Sequence, residues 1–195
     1  MIASEIEKLY ETFGEFCDVT DKYDIYWDED IVNMIEDAEE RTFEVDAGIS
    51  KIVIYPQDSN YVIKVPIECV DDDGYIVDYC EREVELYKLA KERGFDCLLA
   101  KTEFLGNIMG RRVYAQERVE LDSEREETDY SNPSSRRVGI CDSLSQAIID
   151  AYGEDFYDNF VAFCSNNFIN DLHEGNFAIV NGKPIIFDYS GYEGD

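Results

Sequence analysis

The residues best suited to chemistry lie in the last quarter of the chain. Asn170-Asp171-Leu172-His173-Glu174-Gly175-Asn176 leads into a hairpin pattern, and the pattern ends at Asp188-Tyr189-Ser190-Gly191. Two carboxylates, Asp171 and Asp188, and the amide of Asn176 thus collect at the mouth of one short hairpin. Oxygen ligands of this kind suit Mg²⁺, a hard ion that keeps several waters and bridges protein carboxylates to nucleotide phosphates. Asn176 and Asp188 are placed to hold metal. Asp171 is placed to orient or deprotonate an attacking hydroxyl. Phosphoryl transfer needs this division of labour, because its catalysis is mostly positioning and charge neutralisation. Taken singly, Asp171 and Asn176 would read as a turn and a cap.

The elements that must position these groups follow from periodicity. Ile2, Ile6, Leu9, Tyr10 and Phe13 recur at helical spacing and predict a helix from Ile2 to about Phe16. A polar, turn-prone stretch follows to Asp21. A second helix is expected from about Asp28 to Arg41, with Ile31, Met34, Ile35 and Ala38 on one side. From Thr42 the period becomes two. Strands are expected at Thr42–Val45, Lys51–Tyr55 and Tyr61–Ile67, the last two joined by a turn over Pro56–Asn60. Asp71-Asp72-Asp73-Gly74 reads as a loop. A helix over about Asp78–Arg93 should stop at Gly94. Two more strands, Leu98–Phe104 and Arg112–Val119, should meet at a turn holding Gly106 and Gly110.

Leu121–Arg137 is polar, charged and turn-rich, the composition of an exposed linker. Helices are expected at about Ser143–Tyr152 and Glu154–Asn167. Phe177–Val180 and Pro184–Phe187 should form a hairpin around Asn181-Gly182, the strongest two-residue hairpin signal. This order lacks the βα alternation of a doubly wound sheet. The fold class is α+β: an antiparallel sheet with one helix, followed by a mostly helical second half. The expected division is an N-terminal helical extension (1–41), a sheet lobe (42–121), an acidic linker (122–137) and a reduced helical lobe (138–195).

The bulk composition narrows the function. Hydrophobic residues make up 45% of the 195 residues, enough for a packed core rather than wholesale disorder. The six cysteines are scattered without a C-x-x-C pair, which argues against a zinc ribbon and fits reduced core residues in the cytoplasm. No run of about 18 apolar residues suggests a membrane span. The N-terminus has no basic-then-apolar signal pattern. Seventeen Lys and Arg stand against 45 Asp and Glu, a formal net charge of -28. Such a surface repels nucleic acid and anionic membranes and would suit a protein partner with a basic surface.

With these motifs in view, the chain resembles the protein-kinase-like superfamily, closest to small-molecule kinases of the aminoglycoside and choline kinase type. Asp171-Leu172-His173-Glu174-Gly175-Asn176 matches their D-L-H-x-G-N loop. Asp188-Tyr189-Ser190-Gly191 stands in the place of D-F-G. In Val62-Ile63-Lys64-Val65, Lys64 matches the strand lysine of the V-A-I-K type. The resemblance covers roughly Thr42 to Gly191. It implies a two-lobed kinase-like fold with a reduced helical lobe, binding ATP and Mg²⁺. Lys64 would hold phosphates beside a helix glutamate; Glu83 aligns best, and Glu81 and Glu85 are alternatives. Asp171 would be the base, and Asn176 and Asp188 the metal ligands. Gly48 and Ser50 sit where the phosphate-covering loop belongs, and Gln116, Glu117 and Val119 where the strand meets the adenine-reading hinge. His173 would orient the catalytic loop.

The match also departs from the family in places. Gly48 stands alone instead of G-x-G-x-x-G, and Ile169-Asn170-Asp171 replaces H-R-D. No A-P-E motif follows Gly191, so a protein-kinase substrate groove is not expected. Two functions follow: an Mg-ATP-dependent phosphotransferase, or a pseudokinase scaffold that binds a protein partner without transferring phosphate.

Overall fold

The computed structural model describes residues 1–20, 43–67, 69–70, 76–120 and 139–191. The chain divides into two compact units. The first holds Met1–Val84 and Thr102–Arg118; the second holds Glu85–Lys101 and Val119–Asp195. The architecture is α+β, a five-stranded antiparallel sheet with four helices among the described residues. No described helix is long and apolar enough to cross a membrane.

The first unit begins with helix α1 (Ala3–Thr20). It continues one turn beyond the expected end at Phe16, because Cys17, Val19 and Thr20 extend its buried stripe. The second expected helix, over 28–41, lies outside the described residues. The sheet is built from β1 (Phe43–Ala47), β2 (Lys51–Pro56) and β3 (Tyr61–Pro66). Two short strands, β4 (Cys69–Val70) and β5 (Ile76–Val77), pair with each other outside it. Helix α2 (Tyr79–Arg93) follows, then β6 (Thr102–Ile108) and β7 (Arg111–Glu117). The order across the sheet is β1-β2-β3-β7-β6, so β3 is the central strand.

Alternation gives the sheet two unlike faces. Ile52, Ile54, Ile63, Val65, Val113 and Ala115 point one way and pack against Leu9, Phe13, Phe16 and Cys17 of α1. Burial of such side chains is the main stabilising contribution, at roughly 1.5–3 kcal/mol for each large one. The opposite face carries the polar set, placed by register. Val53 faces Lys64, Lys64 faces Tyr114, and Gln116 faces both Val62 and Thr102.

Two local expectations are corrected. The strand expected over Leu98–Phe104 starts only at Thr102; Asp96–Leu98 is instead a 3₁₀ turn. Gly106 was expected in the turn between β6 and β7, but it lies inside β6, at a register shift next to Phe104 with φ of 144°. The turn itself is Met109-Gly110, both at positive φ. A bulge and a tight turn both favour glycine, so composition alone does not distinguish them.

The second unit has its own core. Leu86, Ala90, Phe95, Leu98 and Leu99 pack with Leu144, Ile148, Phe160 and Phe163. The segment 85–101, read as part of the first lobe, therefore belongs here by packing. Helix α3 (Asp142–Tyr152) and helix α4 (Glu154–Asn166) meet at Gly153, whose φ of 92° suits the break between them. A short parallel pairing joins β8 (Gly139–Ile140) to β9 (Asp171–Leu172). The unit closes with a hairpin of β10 (Phe177–Val180) and β11 (Lys183–Ile186). Its turn residues Asn181 and Gly182 have φ of 52° and 75°, the two left-handed positions a type I′ turn requires.

Candidate functional site

The chain holds two groups of candidate residues, one in each unit. In the first, Lys64 stands on the central strand and Glu83 on the first turns of α2. Lys64 Nζ donates to Glu83 Oε2 at 2.8 Å and to Oε1 at 3.0 Å. Lys64 is thus a buried charge on the central strand and not one on a sheet edge. Lys51, on β2, donates to Glu83 Oε1 at 2.6 Å. The amide of Gln116 completes the cluster, donating to Glu83 Oε2 at 3.3 Å and to Thr102 Oγ1 at 2.8 Å. Glu83 is 0% exposed, Lys64 3% and Lys51 4%. Charges so deeply buried persist only when paired and hydrogen-bonded.

Helix α2 is turned so that Glu83 faces the sheet, and its start is fixed from outside. Asp78 caps it, accepting from the Glu81 amide at 2.9 Å. The Tyr114 hydroxyl donates to the other carboxylate oxygen of Asp78 at 2.6 Å. Arg112 reaches Asp78 at 3.3 Å and Glu81 at 2.7 Å, lying over the rings of Phe104 and Tyr114. Glu81 is thus occupied with Arg112 at the surface, which leaves Glu83 as the partner of Lys64 among the three glutamates considered. Burial first, then the Asp78 hydrogen bond, pushes the Tyr114 hydroxyl well above its ordinary value. Burial and the nearby Glu83 charge raise the Cys80 thiol, so it stays protonated and is no nucleophile.

The second unit holds the hairpin mouth. His173 Nδ1 accepts from the Gly175 amide at 3.0 Å and caps the 3₁₀ turn Glu174–Asn176. A neutral imidazole accepting at Nδ1 carries its proton on Nε2. The Asn176 side chain donates to the Asp171 carbonyl at 2.6 Å. A carbonyl can only accept, so this bond fixes which end of the amide is nitrogen and leaves Oδ1 as the ligand end. The Phe187 amide donates to the Asn176 carbonyl at 2.9 Å, extending the β10–β11 register by one pair. That places Asp188 directly after the residue opposite Asn176. The Ser190 hydroxyl reaches Asp188 Oδ1 at 3.5 Å, the outer limit of a hydrogen bond. Asp171 itself is exposed at β9.

An Mg²⁺ ion fits this chemistry. It takes few protein ligands and keeps waters, and Asn176 Oδ1 and the Asp188 carboxylate are hard oxygen donors. Among the described residues, no group of three or more His, Cys, Asp or Glu is placed to hold a metal ion, so any Mg²⁺ here would have few protein ligands. Asn176 and Asp188 are the residues that would hold such an ion.

The remaining expected residues are placed as follows. Gly48 and Ser50 flank Ile49 in the short β1–β2 loop, where the Gly48 amide donates to the Lys51 carbonyl at 3.0 Å. The Ser50 carbonyl accepts from the Ile67 amide at 2.9 Å. Gln116 was expected to read adenine, but its side chain is buried in the glutamate cluster. Glu117 is exposed and Val119 half-buried just beyond β7.

Lys51 and Thr102 were missed by sequence reasoning. Strand register supplies the signal: Lys51 faces Pro66, so it shares a face with Val53 and Lys64. That register depends on how the turn after Pro56 closes, and spacing alone leaves it open. No family model, curated protein or solved structure matches the chain.

Proposed function

We propose that the chain is an Mg-ATP-dependent phosphotransferase with kinase-like catalytic groups and a kinase-like two-lobed organisation. The observation that carries this reading is the buried Lys64–Glu83 pair. A lysine on a central strand, held through both oxygens of a helix glutamate, is a fixed ammonium of the kind that positions nucleotide phosphates. Asn176 supports the same reading from the second unit, because its hydrogen bond to Asp171 engages the amide nitrogen and leaves Oδ1 as the ligand end. Asp171 is exposed and would orient the acceptor hydroxyl and take its proton. Mg²⁺, when bound, supplies neutralisation of phosphate charge. The residues supply its ligands, the phosphate cation and the base.

A second reading is favoured by one feature. Lys64 and Glu83 are almost entirely buried, as a structural clamp would be. In that case the chain is a pseudokinase scaffold, and its -28 charge suits a protein partner with a basic surface.

Thermal unfolding with ATP, with and without Mg²⁺, separates the two. Ligand at about 100 times its Kd adds roughly 2.7 kcal/mol. For a chain of this size that raises the midpoint by about 5–10 °C. A rise that needs Mg²⁺ supports the phosphotransferase. No rise with either addition overturns it in favour of the scaffold.

A further inference from the structure

We infer that Tyr189 is a positioning residue for the metal ligand Asp188, acting through a backbone clamp at Ala100; this rests on the phosphotransferase reading above. Ala100 lies just past the 3₁₀ turn Asp96–Leu98 and is buried. Its amide donates to the Ile186 carbonyl at 2.8 Å, and its carbonyl accepts from the Tyr189 hydroxyl at 2.9 Å. Ala100 thus grips the chain at Ile186 and again at Tyr189, with Asp188 between them. Leu99 pairs with Ile186 as a parallel bridge and aligns the grip. The Phe187 amide, bonded to the Asn176 carbonyl at 2.9 Å, holds the residue before Asp188. All of these residues belong to the second unit. Asp188 itself is only half-buried, whereas Ile186 and Tyr189 are buried, so the clamp is covered and the carboxylate meets solvent.

The Tyr189 ring lies in the core of this unit with Leu98, Leu99 and Ile186. A ring alone supplies that burial without a fixed direction. The hydroxyl adds direction, because a buried hydroxyl left unpaired costs the desolvation of the group. It therefore holds the backbone at Tyr189 in one place. A carboxylate whose chain is fixed on both sides meets a cation without first being ordered, and preorganised ligands bind more tightly than mobile ones.

The test uses the full chain as wild type, Tyr189→Phe and Tyr157→Phe. Tyr189→Phe keeps the ring and removes the bond to Ala100. Tyr157→Phe removes another hydroxyl contact of the same unit, the one that joins α4 to Ser145 of α3 at 2.9 Å. Circular dichroism checks folding, and calorimetry follows ATP binding as Mg²⁺ is titrated. Tyr189→Phe should raise the Mg²⁺ concentration for half-maximal ATP binding about fivefold, the weight of one net hydrogen bond. Tyr157→Phe should lower the unfolding midpoint and leave the Mg²⁺ requirement at its wild-type value. An unchanged requirement in Tyr189→Phe, or an equal rise in both variants, overturns this inference while the phosphotransferase reading stands. Amide hydrogen exchange tests the clamp in the wild type alone. Without ligand, the Ala100 and Phe187 amides should exchange at least about tenfold more slowly than in an unstructured peptide. Unprotected exchange at either amide overturns the clamp even where the wild type binds Mg-ATP. Failure of the wild type to bind Mg-ATP overturns both readings.

Discussion

The hydroxyl of Tyr114, on β7, meets the carboxylate of Asp78, the residue that caps α2, at 2.6 Å. This one bond ties the sheet to the start of the helix that carries Glu83. Tyr114→Phe keeps the ring against Phe104 and removes only the hydroxyl. It should cost about 1 kcal/mol of stability, read from urea unfolding. A change near zero would mean that Arg112 alone fixes Asp78.

Glu83→Ala should be the most damaging single change in the first unit. It strands two buried ammonium groups, Lys51 and Lys64, without their shared carboxylate. Removing one partner from a buried ion pair costs about 3–5 kcal/mol. Urea unfolding measures it, and a loss below about 1 kcal/mol would show that the cluster is not held together by charge.

Asp188→Asn tests the metal assignment in the second unit. The substitution preserves shape and removes the charge, so the unfolding midpoint without ligand should stay within about 2 °C of wild type. The Mg²⁺-dependent part of the ATP stabilisation should disappear. Unchanged Mg-ATP affinity in this variant would sink the role given to Asp188.

Gly191→Ala addresses the end of the same segment. Gly191 has φ of 71°, and a methyl group there would lie 2.5 Å from the Phe168 carbonyl oxygen. The left-handed backbone alone costs an alanine about 1–2 kcal/mol, and the clash adds to it. Total destabilisation above about 1 kcal/mol is expected by chemical denaturation. A neutral effect would mean that the turn after Ser190 relaxes freely.

Alkaline pH should weaken the fold through its buried thiols. Burial pushes Cys164 from 9.0 up to about 12. Below pH 9 both folded and unfolded chains keep this proton, and stability does not depend on it. Between pH 9 and about 12 the unfolded thiol ionises while the folded one cannot. Stability therefore falls as pH rises, by at most about 1.4 kcal/mol per pH unit for this group. Cys164→Ala should flatten that slope, whatever it does to stability at neutral pH; an identical slope would exclude Cys164 as its source.

Much of this was legible in the residues, for identifiable reasons. The hairpin at Asn181-Gly182 was readable because few dipeptides accept two left-handed positions. Helix α2 and its end at Gly94 followed from periodicity and a glycine at φ of 80°. Lys64 and Glu83 were legible as residues with matching roles, and the structure joins them. What spacing could not reveal depended on tertiary register. Lys51 looked like the start of an ordinary strand, and only the pairing with β3 turns it toward Glu83. Gln116 looked available at a strand end until the side of the sheet it faces was known. The division of α2 between two units was hidden because its apolar residues fit one amphipathic pattern, whichever partner each one meets.

The two-faced sheet also has a consequence for how the chain folds. Side chains alternate along a strand, so sliding β3 by one residue against β2 exchanges the faces. Lys64 would then enter the layer of hydrocarbon beneath α1, and Ile63 would lie among the ammonium groups. The penalty for an unpaired buried charge is far larger than that for a misplaced methyl group. Lys64 thus makes that one-residue misalignment costly, so the charge helps to select the strand alignment.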